Sequence, residues 1–211
     1  MARRLLPVAV ALLFVTSGCV GLVTGETVSF EASPASVGDD ALASTEYELA
    51  RSDEQNITQN VSVFGQQRTI RLTNHVTEYS RAIELGPLGD IELARITVFS
   101  TPGATVAGQQ LNPAAQWSNR RLIREIVSRS GGMSDVQRQE NRTVGILGEP
   151  RDVGVFTGTT TVQGQEIDVR IHAASFEHDG DVIIAVAVHP TRIDERANVD
   201  TMFGGIQHTG T

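Results

Sequence analysis

The sequence predicts an α+β fold: one domain in which two or three helices pack on an antiparallel sheet. Three observations carry that expectation. Trp117, Leu122, Ile123, Ile126 and Val127 recur at helical spacing. Ile167, Val169, Ile171 and Ala173 alternate with Asp168, Arg170, His172 and Ala174, as the two faces of a half-buried strand do. Asp179-Gly180 sits between two such runs as a favoured hairpin turn. No repeat or low-complexity tract divides the body, so a single domain over residues 35–211 is expected.

The elements follow in chain order. The chain opens on Arg3-Arg4, an apolar run from Leu5 to Val15, and Thr16-Ser17-Gly18 before Cys19. A basic start, a short apolar core and small residues ahead of a cut make a secretory signal, here residues 1–18. Paired arginines direct export through the twin-arginine route. The apolar run is about half the length a bilayer span requires, so it reads as a signal and not an anchor. Cys19, the only cysteine, stands where the lipobox of prokaryotic lipoproteins places its lipidated residue, although Thr16 replaces the usual Leu-like residue. That resemblance implies a lipid on Cys19, with residues 19–34 as a tether.

Ser36 and Asp39 have capping-box spacing ahead of Ala41, Leu42, Leu49 and Ala50, which predicts a helix from about Asp39 to Arg51. From Gln59 to Leu85 β-formers dominate, with Ile70, Leu72 and Val76 on one strand face and Arg71, Thr73 and His75 on the other. Gly86-Pro87-Leu88-Gly89-Asp90 supplies a turn before a strand over Ile91 to Ser100. Asn112-Pro113 caps and starts the central helix, which Gly131-Gly132 ends. After a meander of strands, Val182 to Val188 is an unbroken apolar run, the mark of a central strand. Thr191 and Asp194 then precede a final helical stripe of Val199, Met202, Phe203 and Ile206. Helices on a sheet in this order loosely resemble the PsbP-type fold of some exported and lipid-anchored proteins.

Charge narrows the partners. All 17 basic residues are arginine, and the formal net charge is −8. Without residues 1–18 the body keeps 15 basic against 25 acidic side chains, a formal charge of −10. An acidic, lysine-free surface suits a halophilic environment, where salt screens repulsion to within a few ångströms. It does not suit nucleic acid, which needs a basic patch. The densest basic stretch, Arg120, Arg121, Arg124 and Arg129, is interrupted by Glu125 and reads as a solvated helix face.

The familiar arrangements for catalysis are missing: there is no Gly-x-Ser-x-Gly elbow, no His-Glu-x-x-His helix, no cysteine pair and no phosphate loop. His75, His172, His178, His189 and His208 read as surface histidines, and Glu177, Asp179 and Asp181 as a solvated hairpin tip without a calcium loop's spacing. No catalytic residue, cofactor or metal site is therefore expected. Asn56, Asn60 and Asn141 begin glycosylation sequons, open to use if the chain is exported.

Arg3-Arg4, Ser17-Gly18-Cys19 and the lysine-free acidic body together resemble the small haloarchaeal lipoproteins of unknown function. The resemblance implies twin-arginine export and attachment to the outer face of the membrane through Cys19, and implies no reaction. The expected function is a non-enzymatic surface module that binds a protein partner or a small ligand. The alternative is an extracytoplasmic hydrolase or transferase whose active-site residues are scattered along the chain.

Overall fold

A computed structural model describes residues 27–63, 65–84, 90–106, 109–130, 132–162 and 164–210. In chain order the strands are β1 (Val28–Glu31), β2 (Ala35–Val37), β3 (Glu48–Val63), β4 (Gln66–Glu84), β5 (Asp90–Pro102), β6 (Thr105–Val106), β7 (Gln109–Gln110), β8 (Met133–Ile146), β9 (Glu149–Val162), β10 (Gln165–His178), β11 (Asp181–Pro190) and β12 (Ile206–His208). The helices are α1 (Asp39–Thr45), a 3-10 turn (Pro113–Gln116), α2 (Asn119–Ser130) and α3 (Arg196–Gly204).

Seven long strands run antiparallel in the order β3-β4-β5-β11-β10-β9-β8, and β1 adds a parallel strand beside the first half of β4. Strand makes up 66% of the structure and helix 17%, so the fold is mostly β, a large mixed sheet with three short helices. This overturns the expected helix-packed α+β fold and its PsbP-like order. The reason lies in Glu48–Val63 and Met133–Val162, which form β3, β8 and β9. Their outer stretches are polar on both faces, so they pair by backbone hydrogen bonding without the apolar alternation that announces a half-buried strand.

Two-residue turns make such long strands possible. Leu147-Gly148 and Asp179-Gly180 hold positive φ at both positions (51° and 76°, 47° and 85°), the conformation whose twist matches antiparallel strands. The predicted Asp179-Gly180 hairpin and the central position of β11 are both found.

Both faces of the sheet are covered. On one, α1 and α3 pack over Tyr79, Ile96, Val98, Ile183, Ala185 and Ala187. On the other, Leu122 and Ile123 of α2 pack over Phe156, Val169, Ile171, Val182 and Ile184. Of the final stripe, Ile206 falls in β12 instead of on a helix, while Val199, Met202 and Phe203 lie on α3 and are each 0% exposed. Burying these three side chains contributes roughly 5–9 kcal/mol in all.

Other expectations shift. The first helix stops at Thr45, where Glu46 takes a left-handed conformation (φ 60°), and Leu49 to Arg51 enter β3. Asn112 caps as predicted, accepting from the Ala114 N–H at 3.0 Å, but it caps a 3-10 turn that breaks at Trp117 before α2. Residues 28–31, expected in the tether, pair with β4 instead. The turn over 86–89 lies outside the described residues.

Candidate functional site

The break between the 3-10 turn and α2 leaves a groove against the sheet. Asn112 anchors it, donating to Thr101 Oγ1 at 2.9 Å and to the Pro102 carbonyl at 2.7 Å. Leu122 then buries while Trp117 stays half-buried at the edge. Between them and the sheet lies an apolar cleft of about 360 Å³ whose floor is Phe99, Ile184, Val186 and Val188. A second cleft of about 170 Å³ shares Phe99, Trp117 and Ile184 and extends to Ile57, Leu72 and Asn74. Two buried polar atoms in this lining, Trp117 Nε1 and Asn74 Oδ1, have no hydrogen-bond partner among the described residues. An apolar cavity of this scale with a few polar groups is the usual form of a small-molecule site.

The first turn of α2 also borders an open polar cleft of about 740 Å³ lined by Arg120, Arg138, Arg151, Asp152 and Phe176, among others. Arg151 lies over the Phe176 ring, 4.5 Å from its centre, and also pairs with Glu149 at 2.6 Å. Asn141, one of the three sequon asparagines, lines this cleft and is exposed on β8. Asn56 and Asn60 are exposed on β3, where they accept from the hydroxyls of Thr73 and Thr69 on β4. Arg3, Arg4 and Cys19 lie outside the described residues.

The histidines are not the surface set that strand parity implied. His172 and His189 are each 1% exposed and stack with ring centres 5.3 Å apart and Nε2 atoms 3.1 Å apart. Both lie on the face that α3 covers; the parity was right, but that face meets protein and not water. His189 Nδ1 lies 3.0 Å from the Pro190 carbonyl and so carries its proton there. Its Nε2 therefore accepts, and His172 Nε2 donates. Burial pushes the His172 pKa down to about 3, with the Arg142 charge adding to the shift, and burial lowers His189 as well. Both rings are neutral. Neither lines any of the clefts described above.

A second cluster forms where the β10–β11 turn meets the chain's end. His208 is buried, its Nε2 is 3.0 Å from Asp181 Oδ2, and its Nδ1 is 3.0 Å from His178 Nδ1. Asp181, read as a solvated tip, is 4% exposed and also accepts the Ser33 N–H at 2.8 Å. Sequence reasoning missed both because the covering groups, Ser33 in the β1–β2 loop and His208 on β12, come from far away in the chain. Buried Glu195 is a third surprise, accepting from Arg81 at 2.5 Å, Tyr47 at 3.2 Å and Asn198 at 3.0 Å. Tyr47 is held protonated by its burial and by that carboxylate.

A family described as a domain of unknown function, DUF6517, matches residues 34–207. No curated protein matches the chain.

Proposed function

The chain belongs to the DUF6517 family of domains of unknown function, and we propose that it is a non-enzymatic binding module, held by a lipid on Cys19 to the outer face of a haloarchaeal membrane, that takes an apolar small molecule in the groove beside α2. The groove supports this reading, because its floor of Phe99, Ile184, Val186 and Val188 is apolar and Trp117 stands at its edge. The unpartnered Trp117 Nε1 and Asn74 Oδ1 favour an amphiphile over a pure hydrocarbon, since a polar end would satisfy groups that are costly to leave unpaired. Export and anchoring rest on Arg3-Arg4 and Ser17-Gly18-Cys19, and the saline setting on the lysine-free, acidic composition.

Trp117 is the only tryptophan, so its emission reports on the groove directly. Titrating a long-chain alcohol, whose hydroxyl can both accept from Trp117 Nε1 and donate to Asn74 Oδ1, into the full chain in molar salt should shift that emission saturably. Val186→Glu, which places a charge on the groove floor, should abolish the shift. A titration without saturation, or an unchanged response in Val186→Glu, would remove the proposal.

A further inference from the structure

We propose that His178, Asp179 and His208 form a binding site for one divalent transition-metal ion of the zinc class, at the junction of the β10–β11 turn and the C-terminal strand. The three offer one donor atom each, and those atoms all lie within 4.8 Å of one another. His178 Nδ1 is 3.0 Å from His208 Nδ1 and 3.6 Å from Asp179 Oδ2. Ligand atoms at zinc's bond lengths sit about 3.3 Å apart along a tetrahedron's edge, so the two separations bracket the required value. The third separation, between Asp179 and His208, is at most 4.8 Å, so the exposed Asp179 carboxylate closes on the ion as it binds.

The support behind the donors points the same way. The Asp181 carboxylate accepts from His208 Nε2 at 3.0 Å, which fixes the proton on that nitrogen and leaves His208 Nδ1 a lone pair aimed at His178. A carboxylate behind a ligating imidazole is the arrangement that orients metal-bound histidines. Asp181 is itself held by the Ser33 N–H at 2.8 Å, and His208 by the pairing of β12 with β2, so one ligand is rigid before any ion arrives. His178 and Asp179 are 21% and 61% exposed in their side chains, which gives an ion a route in. Two imidazoles and one carboxylate select zinc, cobalt or nickel; calcium and magnesium need an oxygen-rich shell that these donors do not provide. A fourth position would remain for water.

The alternative for the short contact is a His178 N–H donating to His208 with no ion. Cobalt(II) distinguishes the two, because a tetrahedral ion gives intense visible absorption. The full chain, stripped with chelator, should take up one equivalent of cobalt, develop that absorption and lose it when zinc is added. His178→Ala should weaken cobalt binding at least ~100-fold and Asp179→Asn ~10-fold, while His75→Ala on β4 should bind as the parent does. Circular dichroism checks that each variant is folded; should His178→Ala misfold, Asp179→Asn, at an exposed position, decides. No stoichiometric uptake by the parent, or equal uptake by the folded variants, would overturn the site. Neither result depends on the groove beside α2.

Discussion

Lowering the pH from about 7.5 to about 5 should destabilise this protein through the buried histidine pair, in a range where carboxylates of ordinary pKa still carry their charge. His172 Nε2 donates to His189 Nε2 at 3.1 Å, and His189 Nδ1 donates to the Pro190 carbonyl. Of the two ring nitrogens without a proton, His189 Nε2 accepts from His172, while His172 Nδ1 is buried with no partner among the described residues. A second proton on His172 would therefore enter a dry site, close to the charge of Arg142. These features hold the folded pKa near 3, below the 6.5 of a free histidine. A group whose folded pKa is depressed in this way stabilises the fold fully above pH 6.5 and loses that contribution as the pH falls toward 3.

Each pH unit below 6.5 costs about 1.4 kcal/mol per such histidine, so His172 alone removes roughly 2 kcal/mol by pH 5. His189, shifted in the same direction, steepens the loss. Against a typical domain stability of about 5–15 kcal/mol this is readily measured. Urea midpoints in molar salt, followed by Trp117 emission, should fall continuously over this range. His172→Phe, which keeps the stacked ring and removes its titration, should flatten the slope by about one proton's worth. A midpoint that is level between about pH 7 and 5, or a slope that His172→Phe leaves intact, would refute the reasoning.

Two further outcomes follow from the Glu195 ion pair and the proposed lipid anchor. Glu195→Ala should cost about 3 kcal/mol in urea unfolding, because Arg81, Tyr47 and Asn198 all donate to a carboxylate that is 1% exposed. Combining Glu195→Leu with Arg81→Met should recover much of that loss, and a single variant costing under about 1 kcal/mol would show the pair to be dispensable. Cys19→Ser should release the protein from membranes or leave it unprocessed; retention with normal cleavage would remove the lipid anchor.

The sequence itself determined those elements whose signal is local. Asp179-Gly180 could only be a tight turn, Val182 to Val188 carried apolar side chains on both faces, and Val199, Met202 and Phe203 lay on one helical stripe. All three are found where their chemistry placed them. The fold class was not legible, because β3, β8 and β9 extend beyond the core and their polar outer stretches pair through the backbone, which is blind to side-chain pattern. The apparent helical spacing of Leu49 and Ala50 had no packing partner to enforce it, and β3 claimed them.

Tertiary structure alone decided the sites. Alternation along β10 divided its residues correctly into two faces, yet only the arrival of α3 made the face of His172 a buried one. In the same way, Asp181 is an ordinary turn acid until Ser33 and His208, 148 and 27 residues away, close over it. A residue's periodicity states which neighbours it shares a face with; what covers that face is set by contacts distant in the chain, and the charge, protonation and ligand-binding capacity of a side chain depend on that cover.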